Sequence, residues 1–237
     1  MAHRYLAFDI ETSKDVPGED FNWRPHRPLG ISCAATLESG AAQPVLWHGK
    51  TPDGHPAERM SQADARGLVE YLSKMAADGF KILTWNGLGF DFDILAEESG
   101  AVAECAECAL GHVDMMFQVL CSLGYPIGLD KAAQGMGLPG KPPGMSGILA
   151  PQLWAQGRFQ QVLEYVAQDV RTTMQLARAG EERRKLEWIT RKGTKSSMPL
   201  RNGWLSVREA LKLPEPDTSW MSAPISRREA TAWLPKG

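Results

Sequence analysis

A chain of 237 residues with 43% hydrophobic and 23% charged residues is long enough to bury one generous core, and its composition is that of an ordinary globular protein rather than a disordered or fibrous one. A formal net charge of −2 provides no global positive field for wrapping long duplex DNA, though it leaves room for an enzyme that grips one short end through a local patch. No segment approaches the length of a membrane span, and the opening MAHRYLAFDIETSKD lacks a basic stretch followed by a long apolar one, so no membrane association and a cytoplasmic location are expected.

The first predicted strand covers 3–11, and within 7-AFDIETS-13 it places Asp9 and Glu11 on either side of one isoleucine. Side chains two apart in an extended chain share a face, so these acids sit together while Phe8 and Ile10 face the opposite layer. Like charges at that separation repel, which leaves two solutions: one acid is protonated, or both hold a cation. A Pro-rich loop leads to strands over 29–37 and 44–49, completing an antiparallel meander. A helix then starts at Ser61, an N-cap with Asp64 three residues on, carries the stripe Leu68, Val69, Leu72, Met75 and Ala76, and stops at Gly79. The run 80–85 is a short apolar strand, and a helix follows 86-NGLG-89 through Leu95 and Ala96. Further helices are expected over 112–123, 129–136 and 158–186, the last marked by apolar residues at helical spacing from Phe159 to Ala177. Three strands, helix, strand, helix is an α/β arrangement with a mixed central sheet.

Residues 135–147, rich in Gly and Pro, are expected to form an irregular loop, either a plain connector or a substrate-facing one. After residue 190 the chain turns basic and Pro-rich. The expected organisation is therefore a domain over 1–190 and an extension over 191–237 whose Trp204, Trp220 and Trp233 pack it down. Arg183, Arg184, Lys185, Arg191, Lys192 and Lys195, interspersed with glutamates, are expected to be a solvated helix end. The four cysteines fit a reducing compartment. Cys105-x-x-Cys108 with His112 and Cys121 is a poor match to a structural zinc site, and small half-buried thiols are the simpler expectation.

Two later segments carry chemistry. In 85-WNGLGFDFDIL-95, Asp91 follows a tight turn at the start of a helix, and in 165-YVAQD-169, Tyr165 and Asp169 lie one helical turn apart. Strand-borne D-x-E, then N-G-x-x-F-D, then Y-x-x-x-D on a late helix resembles the three exonuclease motifs of the DEDD superfamily (DnaQ-like 3′-to-5′ exonucleases) in its tyrosine subclass (DEDDy). The intervening 112-HVDMMFQV-119, 129-LDKAAQGMGLPGK-141 and Trp154 are similar to connecting segments of exonucleases related to B-family polymerase proofreading domains. The resemblance covers residues 3–180.

The resemblance implies a ribonuclease-H-like fold, in which the three-stranded meander is extended by parallel strands and flanked by helices. It also implies hydrolysis of phosphodiesters at the 3′ end of single-stranded nucleic acid, DNA favoured, with two Mg²⁺ or Mn²⁺ ions. By motif match Asp9 would bridge both ions, Glu11 and Asp169 would complete the nucleophile-side site, Asp91 would hold the second ion, and Tyr165 would orient the attacking water. Oxygen donors suit those hard cations. Candidate substrate contacts are Thr12, Asn86, Phe90 and Lys141; Asp93 competes with Asp91 as the second-motif acid, and Asp114 is read as a helix cap. The alternatives are an RNA-trimming exoribonuclease of the same fold and a catalytically silent nucleic-acid-binding module associated with a polymerase. Partners implied are DNA or RNA 3′ ends and a polymerase or repair enzyme.

Overall fold

The computed structural model describes residues 3–17, 22–140, 146–222 and 224–235. A five-stranded sheet is built from β1 (Tyr5–Thr12), β2 (Ile31–Glu38), β3 (Val45–His48), β4 (Lys81–Thr84) and β5 (Val113–Asp114), in the order β3-β2-β1-β4-β5. β1, β2 and β3 form the antiparallel meander, while β1–β4 and β4–β5 pair in parallel. This is the mixed α/β sheet of a ribonuclease-H-like fold.

The alternation along β1 sorts its side chains into two layers. Leu6, Phe8 and Ile10 enter a core shared with α1 (Gln62–Ala77), α2 (Asp91–Ser99) and α3 (Val102–Gly111). Tyr5 and Ala7 enter the opposite core, beneath α7 (Phe159–Arg183), together with residues of α5 (Leu129–Gly135) and Trp154 of α6 (Ala150–Ala155). α4 (Met115–Leu123) contributes Phe117 and Leu120 to the first layer and Met115 and Val119 to the second. By the same alternation Asp9 and Glu11 fall on the α7 side.

The expected start of α1 is present as a full capping box: the Asp64 N–H donates to Ser61 Oγ at 3.1 Å and the Ser61 N–H to Asp64 Oδ2 at 2.9 Å. Gly79, with φ +86°, ends the helix. Elsewhere the boundaries differ from the expectations. The helix expected from 112 starts at Met115, because Val113 and Asp114 first add a short parallel strand to β4. The helix expected to reach 186 ends at Arg183: Arg184 takes φ +53°, and Leu186 and Trp188 then alternate into the core as part of β6 (Lys185–Ile189). β6 pairs antiparallel with β7 (Lys195–Pro199). The basic run is therefore split between a helix end and a hairpin, with Arg191 and Lys192 in the exposed tip.

That hairpin crosses residue 190. Beyond it Trp204 is buried against α7 and its Nε1–H donates to the Ala177 carbonyl at 2.9 Å, while α8 (Val207–Ala210) buries Val207 and Ala210 in the α1–α3 layer. Trp233, after α9 (Arg227–Ala230), is half-buried. Trp220 departs from the expectation that all three tail tryptophans are covered, since it is 67% exposed. No helix among the described residues is long and apolar enough to cross a membrane.

Candidate metal centre

Strand β1 and helix α7 supply the site. β1 projects Asp9 and Glu11 toward α7, which presents Tyr165 and Asp169 one turn apart. Asp9, Glu11 and Asp169 each offer a carboxylate oxygen, and these oxygens lie within 4.8 Å of one another. Glu11 and Asp169 are buried and Asp9 is half-buried. At such separations each ionised pair repels by about 3–4 kcal/mol at an effective dielectric of about 20. A hard divalent cation relieves that repulsion, and an all-oxygen donor set suits Mg²⁺ or Mn²⁺ better than softer metals. The residues present thus fit such a cation.

Asp91 joins from the other layer. The turn that delivers it depends on local chemistry: Asn86 adopts φ +76°, a left-handed conformation that asparagine tolerates better than most residues, and a side chain at Gly87 would overlap Thr84. Thr84 Oγ1 in turn accepts the Gly87 N–H at 3.0 Å. Helix α2 then starts at Asp91, whose Oδ1 accepts the N–H of Ile10 at 3.0 Å, from the peptide between the two β1 acids. Burial pushes the Asp91 carboxyl up to about 7; the Ile10 N–H opposes this, and the neighbouring Asp114 and Asp169 add to it. Asp91 lies outside the three-acid group but close enough to Asp169 to feel its charge. Asp93, the competing acid, instead accepts a bond from Arg27 at 2.8 Å and also faces Arg24. Its side chain is thereby committed to those cations.

Tyr165 is buried, and its hydroxyl is pushed well above the ordinary tyrosine range, first by burial and then by Asp169, Glu11 and Asp9, with a hydrogen bond to Asp169. It stays protonated, a donor rather than a base. Cys33, opposite Glu11 on β2, is likewise held protonated by burial and by Glu11.

The remaining expected contacts are dispersed. Thr12 is buried just past a register shift in the β1–β2 pairing. Asn86 uses its N–H to bond Asp114 at 3.0 Å. Phe90 packs edge-on against Trp23, with centroids 5.5 Å apart, on the α1–α3 side. Lys141 lies outside the described residues. Gly147, at the far end of the Gly/Pro loop, does reach the centre: a Cβ there would lie 3.8 Å from Glu11 Oε2. Cys105 and Cys108 are buried with Ser99 and Ser73 as sulfur neighbours, and His112 turns away to Thr84 Oγ1 and the Ala109 carbonyl.

Asp114 does more than cap a helix. Its carboxylate accepts the N–H groups of Phe117 in α4 and of both Asn86 and Leu88 in the turn before Asp91, at 2.9–3.0 Å. This acid fixes the path by which Asp91 reaches β1. Its signal in the sequence is an acid directly before an apolar helix, which by itself announces only a cap.

Comparison with known proteins agrees with this architecture. A family model for RNase_H_2, of the RNase_H superfamily, matches residues 53–179, which include Asp91, Tyr165 and Asp169 and begin after the strand bearing Asp9 and Glu11. No curated protein matches the chain in sequence. Among solved structures, the family B DNA polymerase from the hyperthermophilic archaeon Pyrobaculum calidifontis superimposes on 76% of this chain at a TM-score of 0.54 and 20% identity. The chain spans only 25% of that polymerase, and at that identity the likeness is one of fold. With the family model covering more than half its length, this chain belongs to the RNase_H superfamily.

Proposed function

We propose that the protein is a metal-dependent 3′-to-5′ exonuclease that releases nucleoside 5′-monophosphates from single-stranded nucleic acid, with DNA preferred. The observation that carries this reading is the convergence of Asp9, Glu11 and Asp169, oxygens within 4.8 Å, beside the protonated Tyr165. Membership of the RNase_H superfamily supports nuclease chemistry. The resemblance of the D-x-E, N-G-x-x-F-D and Y-x-x-x-D segments to the DEDDy motifs supports the polarity, and the fold shared with a family B DNA polymerase supports a polymerase or repair partner.

In this reading Asp9, Glu11 and Asp169 would hold divalent Mg²⁺ or Mn²⁺, two ions being expected from the resemblance, with Asp91 contributing from the neighbouring layer. Bound divalent ions supply an attacking hydroxide near neutral pH and offset charge on the leaving oxygen. The chain's own contribution is to fix the acids before substrate arrives. Ile10 holds Asp91 through its N–H, and Tyr165 donates a hydrogen bond toward the acids and orients the attacking water.

The test is a time course on matched single-stranded DNA and RNA labelled at the 5′ end, with Mg²⁺ and with chelator. A ladder shortening from the 3′ end, absent with chelator and reduced by at least about a thousandfold in Asp9→Ala, is the expected result. Undiminished cleavage by a well-folded Asp9→Ala protein contradicts the assignment, and fragments cut internally contradict the exonuclease polarity.

A further inference from the structure

A second region with the chemistry of a ligand site lies outside the acid cluster. A pocket of about 620 Å³ is formed where β6 and the tail meet the segment leading into α5, with walls that include Tyr125, Ile127 and Trp188. Trp220 forms one side, with its ring edge-on to Tyr125 at 6.1 Å, and its Nε1–H donates to the Asp217 carbonyl at 3.1 Å. An indole that is anchored by a backbone bond yet 67% exposed is a large apolar face held open to solvent. Two cations, Lys131 and Arg191, line the same pocket; both are exposed, and neither has an ion-pair partner among the described residues.

The pocket and the acids lie on the same face of the sheet. Ile127 and Trp188 belong to the α7-side layer, the face onto which β1 projects Asp9 and Glu11. The carbonyl of Ile127 accepts the Trp85 Nε1–H at 2.9 Å, and Trp85 directly follows β4, which runs parallel to β1. The pocket is thereby tied to the segment that leaves β4, the strand beside β1, on the same face of the sheet as the acid cluster.

We propose that this pocket is a second contact for the single-stranded substrate, with Trp220 stacking on a base and Lys131 and Arg191 meeting the phosphates beside it. The assignment rests on the exonuclease reading for its choice of nucleic acid. An exposed aromatic face flanked by unpaired cations is the combination that grips single strands without regard to sequence, because every base has a stacking face and every linkage a charge. A strand engaged at its 3′ end by the acids would then be held upstream as well, so binding strengthens with length.

The experiment measures affinity for oligothymidylate in the presence of chelator, where no cleavage occurs, by the quenching of tryptophan fluorescence and by anisotropy of a labelled strand. For the full chain, a strand of about twelve nucleotides is expected to bind at least about tenfold more weakly to Trp220→Ala than to wild type, while one of about three nucleotides binds both equally. Arg191→Glu is expected to make the dependence of log affinity on log salt shallower by about one. Trp220 is largely exposed, so its removal leaves the fold in place, which thermal melting verifies. Affinity for the longer strand unchanged within about twofold in both variants overturns the proposal. So does an acidic peptide with an aromatic anchor that binds in a Trp220-dependent way when oligothymidylate does not, a result that makes the pocket a protein-docking site. If wild type hydrolyses neither DNA nor RNA yet binding still depends on Trp220, the exonuclease reading fails and the pocket assignment stands.

Discussion

At the scale of single residues, the site is governed by the cost of burying acids close together. Asp91 shows it most directly, since burial raises its carboxyl to about 7 against a reference near 3.8. In the metal-free protein the folded state therefore holds a proton that the unfolded chain releases as pH rises between about 4 and about 7, so stability falls across that window. Asp91→Asn removes the titrating group while keeping an acceptor for the Ile10 N–H. Melting in chelator at pH 5 and pH 8 is expected to show a smaller loss of stability with rising pH in the variant than in wild type; equal losses contradict the assignment. Tyr165 is pushed the same way: burial first, and then the neighbouring carboxylates, keep its hydroxyl protonated, which suits a group that donates a hydrogen bond.

At the scale of elements, the acids are only as well placed as the segments that bear them. Asp114 ties the 86–88 turn to the start of α4, and Asp114→Ala strands the buried Leu88 and Phe117 N–H groups. A loss of about 2–5 kcal/mol in stability is expected from denaturant unfolding, together with weakened metal-dependent activity even though Asp114 is not among the clustered acids. A variant as stable and active as wild type removes Asp114 from this role. The same elements show why the sequence was legible in places and opaque in others. The period of two in β1 and the helical spacing in α7 put Asp9, Glu11, Tyr165 and Asp169 on identifiable faces before any fold was known. The hydrogen bond from Ile10 to Asp91 was invisible because it joins segments 81 residues apart. α3 carries no start signal because its N-cap, Ala101, has no capping side chain and directly follows Gly100, the glycine that ends α2. The β6–β7 hairpin was hidden by Arg184, which takes a left-handed turn that glycine usually signals, so the helix reads on into the strand.

At the scale of the whole molecule, the tail returns to the segment that presents Asp91. Trp233 donates through Nε1 to the Leu88 carbonyl at 2.7 Å, Ala230 lies against Gly89, and the buried Arg227 bonds the carbonyls of Leu211, Leu213, Pro214 and Cys121. Trp233→Phe keeps most of the apolar contact and deletes the bond, so a loss of about 1 kcal/mol and a measurable drop in activity are expected; activity equal to wild type would make the contact a matter of stability alone. All of these supports converge on one physical proposition: the carboxylates from β1 and α7 are kept close in order to hold a hard divalent cation. Titrating Mn²⁺ into the protein and into Asp169→Asn, followed by thermal melting and by the electron-spin signal of free Mn²⁺, tests this directly. Wild type is expected to take up Mn²⁺ and melt at higher temperature, and the variant to bind at least about tenfold more weakly with little gain in stability. Equal uptake and equal stabilisation in the two proteins, or none in either, would contradict it.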